Sequence, residues 1–242
     1  MNTNNILTID HMSKLYNKQH GINSISVTIN SGEIVAFIGP NGAGKTTLVK
    51  SIAGLLTLSK GQILLNGTTT SSRVCKQHIG YMQNTLDFYE QMTVYEILNF
   101  ICKVKLEGKF HNEIDSYLKK YELYEQRNAF IHELSLGMKK KLSIIMALLG
   151  SPQLILLDEP TNGVDTLGII QLKNDLIKCS QKGSIVIVTS HVLDFIEKIC
   201  SRCIFLKKGN IEKDLIVDNT DTCLETIYEQ LYILSLEIKK WY

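Results

Sequence analysis

The sequence predicts an α/β fold, a sheet-plus-helix core interrupted by a helical insertion, and three observations carry that expectation. Residues Ile34-Val35-Ala36-Phe37-Ile38, 154–157 and 185–188 are continuous apolar runs of strand length, the pattern of parallel strands buried on both faces. Glycine-bounded segments after the first two runs have helical periodicity. Between residues 84 and 149 the strand signal gives way to helical spacing, with Val94, Ile97, Leu98 and Ile101 on one face.

Taken in order, Ile25, Val27 and Ile29 alternate with polar residues and read as a half-exposed strand, closed by the turn Asn30-Ser31-Gly32. The run 34–38 ends at Gly39, and a helix begins near Lys45 and stops at Gly54. Residues 62–65 form a short strand before the turn pair Asn66-Gly67, and residues 79–82 form another. The helical insertion closes with a helix over about 138–149. Strands at 154–157 and 185–188 flank a helix near 167–178, and a strand at 202–207 turns at Gly209-Asn210. Lys139-Lys140-Lys141 reads as a solvated helix face.

Composition narrows the function classes. Across 242 residues, 44% are hydrophobic and 21% charged, as in ordinary globular proteins, and the formal net charge of +2 gives no ground for nucleic-acid binding. No run reaches the roughly 18 apolar residues of a membrane helix, since 142–157 is broken by Gly150-Ser151-Pro152-Gln153. Met1-Asn2-Thr3-Asn4-Asn5 has neither the basic start nor the apolar core of a signal peptide. The expected location is therefore cytosolic, with any membrane spans supplied by another chain. The six cysteines read as free thiols, and Cys200-Ser201-Arg202-Cys203 is a lone pair where a structural zinc site needs four ligands.

Two motifs carry chemistry. Gly39-Pro40-Asn41-Gly42-Ala43-Gly44-Lys45-Thr46-Thr47 fits G-x-x-x-x-G-K-[ST] between a buried strand and a helix, the setting of a phosphate-binding loop. Glycines let backbone N–H groups wrap phosphates, the helix N-terminus adds positive charge, Lys45 neutralises the β- and γ-phosphates of ATP, and the Thr46 hydroxyl ligates Mg²⁺. The second motif is the apolar strand that ends in Asp158-Glu159. Asp158 is expected to hold the Mg²⁺ shell and Glu159 to polarise the attacking water. Pro40, Pro152 and Pro160 all lie in or beside these motifs and stiffen their loops.

With these motifs in this order, the sequence resembles the ATP-binding cassette proteins over nearly its whole length. The resemblance implies a two-lobed cassette with a mixed sheet core, an antiparallel β subdomain and an inserted helical subdomain. It would form one domain over 1–242, with a core lobe over about 1–83 and 151–242 and a helical lobe over about 84–150. Leu134-Ser135-Leu136-Gly137-Met138 looks like the family's signature motif, so Ser135 and Gly137 are expected to bind the nucleotide held by a second subunit. Gln83 matches the glutamine that senses Mg²⁺ and links to the membrane partner, and His191 matches the switch histidine at the γ-phosphate. Asn162-Gly163-Val164-Asp165 resembles the loop that crosses the dimer interface, and Tyr16 resembles the aromatic that stacks on adenine, with Tyr81 and Tyr89 as other aromatics.

Leu136 and Met138 depart from the usual glycine and glutamine, and a side chain at 136 restricts the backbone. Similar signatures occur in bacterial drug and peptide exporters with separate permease subunits. The resemblance thus implies an ATPase on the cytoplasmic face of the membrane. It would dimerise as a homodimer or heterodimer and drive an integral membrane permease, with antimicrobial-peptide or drug export as the expected task. An importer motor and a soluble, non-transport cassette are the alternatives.

Overall fold

Ten strands and eight α-helices are described by the computed structural model, which covers residues 5–16, 21–82, 90–217 and 223–234. The strands are β1 (Ile6–Leu15), β2 (Gly21–Asn30), β3 (Ile34–Ile38), β4 (Lys60–Leu65), β5 (Thr68–Thr69), β6 (Ile79–Met82), β7 (Leu154–Asp158), β8 (Ile185–Thr189), β9 (Arg202–Lys207) and β10 (Asn210–Ile216). The helices are α1 (Lys45–Ile52), α2 (Arg73–Lys76), α3 (Val94–Lys105), α4 (His111–Lys120), α5 (Leu136–Leu148), α6 (Thr166–Gln181), α7 (Leu193–Glu197) and α8 (Leu224–Tyr228). A π-helical stretch, Glu229–Leu234, follows α8.

Among the described residues the strands form two sheets. One has the order β2-β1-β4-β5 and is antiparallel. The other has the order β10-β9-β3-β8-β7-β6, parallel except for the β9–β10 hairpin. The central strands β3, β7 and β8 are buried at every position, as their unbroken apolar runs require. Their side chains alternate between two cores. Val35, Phe37, Leu154, Leu156, Ile185 and Ile187 pack with α1 and the antiparallel sheet, whereas Ile34, Ala36, Ile155, Leu157, Val186 and Val188 pack with α3, α5 and α6.

Three expectations change. α5 starts at Leu136 rather than near Met138, because the Ser135 hydroxyl accepts the Met138 N–H and caps the helix. The β9–β10 turn is Lys208-Gly209, with φ of 48° and 77°, one residue earlier than expected. The lysine run is not a solvated face: Lys140 and Lys141 are 3% and 6% exposed. Lys141 ion-pairs with Asp165 at 2.7 Å and Glu122 at 3.3 Å, which compensates its burial. Burial opposes the Lys141 charge, but these bonds outweigh it and hold its pKa up.

Candidate active site

The chain between β3 and α1 folds into the phosphate loop. Gly42 and Gly44 take left-handed φ values of 80° and 105°, and a Cβ at residue 44 would also meet Ile22 Cδ1 at 2.5 Å. Gly44 is the N-cap of α1, so the first backbone N–H groups of that helix face out of the loop with their partial positive charge. The Lys45 ammonium donates to Gly39 O at 2.7 Å and lies 3.4 Å from Pro40 O. Burial lowers the Lys45 pKa, while the carboxylates of Glu159 and Asp158 oppose that shift. A cavity of about 690 Å³ opens above the loop, lined by Tyr16, Pro40, Asn41, Gly42, Gly44, Lys45, Thr46, Thr47 and Glu159, and also by Gly21 and Lys208.

The carboxylates arrive on β7, at the carboxyl end of the parallel strands, where α/β sheets hold their ligands. Asp158 is 1% exposed, and its two oxygens have separate partners. The Thr46 hydroxyl donates to Oδ2 at 2.9 Å and the Thr189 hydroxyl donates to Oδ1 at 2.5 Å. A threonine hydroxyl beside a carboxylate is an all-oxygen donor set that fits Mg²⁺. Among the described residues no group of three or more His, Cys, Asp or Glu could hold a metal. Mg²⁺ bound beside phosphates takes few protein ligands, and Thr46 and Asp158 could supply two of them.

Glu159 follows with a φ of 51°, a left-handed conformation that costs a non-glycine residue about 1–3 kcal/mol. Its amide donates to Thr189 O at 3.0 Å and to the Thr189 hydroxyl at 3.2 Å, which holds the turn. Its carboxylate Oε2 lies 2.7 Å from His191 Nδ1 and accepts from the His191 backbone N–H at 3.3 Å. Loop, carboxylate pair and histidine therefore form one contiguous constellation.

The structure thus brings Tyr16, residues 39–47, Asp158, Glu159 and His191 to one site. Gln83 lies outside the described residues. Among the described residues, Ser135, Gly137 and Asp165 do not line the cavity. They gather where α5 and α6 begin: Ser135 caps α5, and Asp165 caps α6 through the Gly168 N–H at 2.8 Å while pairing with Lys141. The Lys141 bond and the Gly168 amide lower the Asp165 pKa. A Cβ on Gly137 would meet Gly163 O at 2.9 Å, so glycine there lets the 162–165 loop approach the signature helix. Leu136, by contrast, is an ordinary right-handed first residue of α5 with its side chain 64% exposed, and its backbone does not require glycine.

Sequence reasoning missed Thr189, Lys208 and Gly21. Thr189 reads as the last residue of an apolar strand, and Lys208 and Gly21 reach the site only through the packing of a hairpin turn against the start of β2.

Fold and constellation together are those of an ATP-binding cassette. Residues 22–162 match the family model described as ABC transporter. The chain belongs to that family, as an ATP-binding subunit with ATPase chemistry. It is 33% identical over 225 residues to YhcH of Bacillus subtilis, an uncharacterized ABC transporter ATP-binding protein, across 90% of this chain and 73% of that one. It is 30% identical over 226 residues to the lantibiotic transport ATP-binding protein SrtF of Streptococcus pyogenes, across 93% and 97% of the two chains. The solved structure of an ATP-binding subunit of an ABC transporter superposes with a TM-score of 0.87 at 27% identity, covering 93% of this chain and 99% of the other.

Proposed function

We propose that this chain is the ATP-driven motor of an exporter and works on the cytoplasmic face of a membrane with a separate integral membrane permease. The observation that carries the ATP-hydrolysing part of this reading is the line of contacts at the mouth of the phosphate loop, from Thr46 to Asp158 and from Glu159 to His191. In this reading the backbone N–H groups of residues 41–47 and the Lys45 ammonium take the phosphates of ATP within the loop 39–47, and Tyr16 stacks on its adenine. Thr46 and Asp158, joined by Gln83, hold Mg²⁺. When bound, that ion neutralises charge across the phosphates. Glu159 accepts a proton from the attacking water, a role worth about 10²–10⁴-fold in rate. His191 holds the Glu159 carboxylate and reaches the γ-phosphate.

A second cassette subunit completes each site with its Ser135, Gly137 and Asp165, so that ATP closes a head-to-tail dimer and hydrolysis reopens it. Closure pulls on the permease through the groove near Gln83 and the helix after Thr93, in a helical lobe of about 84–150 beside a core lobe of about 1–83 and 151–242. Among the described residues no helix is long and apolar enough to cross a membrane. The likeness to the lantibiotic transport protein supports antimicrobial-peptide or drug export as the task. Tagged chain extracted in detergent from the membranes of its own cells should carry an integral membrane protein with it. Recovery of the chain alone under several mild detergents would sink the proposal.

A further inference from the structure

We propose that Thr189 is a positioning residue for hydrolysis: one buried hydroxyl sets both the metal-side carboxylate of Asp158 and the backbone turn that aims Glu159. The inference rests on the roles given above to Asp158 and Glu159.

The sheet itself places this hydroxyl. β7 and β8 are neighbouring parallel strands at the centre of the sheet, and Asp158 and Thr189 are register partners at its carboxyl end. Thr189 is 0% exposed, so its hydroxyl has no solvent to fall back on. A threonine hydroxyl has one proton to give and two lone pairs. The proton goes to Asp158 Oδ1 at 2.5 Å, and the oxygen accepts from the Glu159 N–H at 3.2 Å. The hydroxyl thereby holds the side chain of one residue and shares with Thr189 O, at 3.0 Å, the amide of the next.

The two hydroxyls on Asp158 are not equivalent. Thr46 belongs to the phosphate loop and lines the cavity, so its bond to Oδ2 is one that cation binding would compete for. Among the described residues Thr189 does not line the cavity, and its bond to Oδ1 does not compete with a ligand there. Thr189 is the fixed anchor and Thr46 the exchangeable one. The same hydroxyl reinforces the Thr189 O bond at the left-handed Glu159, whose φ is 51° and whose carboxylate reaches His191.

Thr189→Val keeps the shape and removes the hydroxyl, and Thr189→Ser keeps the hydroxyl and removes a methyl. The probes are a fluorescent ATP analogue, titrated with EDTA and again with Mg²⁺, and steady-state ATPase kinetics. For Thr189→Val, affinity in EDTA should stay within about twofold of wild type. The tightening of binding by Mg²⁺ should weaken by about tenfold, and kcat should fall by about ten- to hundredfold, as expected for losing a hydrogen bond to a charged group. Thr189→Ser should restore both. If Thr189→Val does not fold, Thr189→Ala against Thr189→Ser makes the same comparison. A normal kcat and Mg²⁺ response without the hydroxyl would overturn the inference. So would a Ser variant as impaired as Val, which would make the methyl group the operative part, or an equal loss of affinity in EDTA, which would mark a general packing defect. Glu159→Gln run in parallel separates the two levels: turnover by that variant removes the underlying assignment, whereas its inactivity beside a normal Thr189→Val removes only the role of Thr189.

Discussion

Gly80 is where the helix that carries the signature residues meets the sheet. It sits in β6, and a Cβ built there would lie 1.8 Å from Ala147 O and 2.9 Å from Pro152 Cγ. Carbon–oxygen contacts in proteins settle at about 3.3–3.6 Å, so Gly80→Ala requires α5 to back away from β6 by about 1.5 Å. The obstacle is a helix carbonyl, which cannot rotate aside as a side chain could. α5 also contributes the fully buried Leu142, Ile145 and Leu148 to the core, so its displacement disturbs packing along the helix. Overpacking of this kind costs about 1–3 kcal/mol, and a backbone obstacle puts this case near the upper end. For a chain of this length each kcal/mol moves Tm by about 2–4 °C, so a loss of about 6–12 °C is expected. Thermal unfolding followed by circular dichroism reads it directly. ATPase activity should fall as well, because a shift of α5 as a rigid body carries Ser135 and Gly137, at its opposite end, out of place. A Gly80→Ala protein that melts within about 2 °C of wild type would refute the close packing of α5 on β6.

Leu136→Gly should preserve or raise ATPase activity, because residue 136 is right-handed helix and its side chain points to solvent beside Gly163; a loss above about tenfold in steady-state turnover would assign Leu136 a specific role. Lys105, at the end of α3, donates to Ile79 O at 2.5 Å, and burial lowers its pKa to about 8. Its folded pKa lies below the unfolded value of about 10.4, so the unfolded chain binds more protons between these values and stability rises with pH across that window. Lys105→Met should lack this rise, and urea unfolding from pH 7 to 10 should show wild type gaining about 1–3 kcal/mol relative to the variant; parallel curves would contradict a buried ammonium.

What was legible in the sequence is what local pattern determines. The runs at 34–38, 154–157 and 185–188 are apolar without interruption because both faces of those strands are covered, and the phosphate loop and Asp158-Glu159 follow two of them directly. β1 escaped because its alternation changes phase: Leu7 and Ile9 point inward, and register shifts around His11 then bring Met12 inward instead. Lys140-Lys141 read as solvated because charge alone predicts exposure, whereas the carboxylates that allow Lys141 to be buried come from Glu122 and Asp165, on other elements. Thr189 was invisible for the same reason. Its partner Asp158 is 31 residues away, and only the pairing of β7 with β8 makes a strand-end threonine part of the site. α8 and the stretch after it were not read at all. Tyr232 earns its place there through tertiary bonds, donating to Leu206 O at 2.9 Å beneath the phosphate-loop strand.

The central claim is that ATP is held between two cassettes and cleaved with Glu159 as the base, and Glu159→Gln tests it most directly. Glutamine keeps the shape and the reach to His191, which lies 2.7 Å from Oε2, but it cannot take a proton. Turnover should fall by about 10²–10⁴-fold, while Lys45, Thr46 and Asp158 remain to hold Mg-ATP. The closed dimer should then accumulate, because nothing reopens it. Size-exclusion chromatography of the Glu159→Gln protein should show a shift from monomer to dimer with Mg-ATP and none with ADP, while wild type returns to monomer as it consumes its nucleotide. Hydrolysis by the variant at the wild-type rate would contradict Glu159 as the base, and an inactive variant that stays monomeric in Mg-ATP would contradict the shared site.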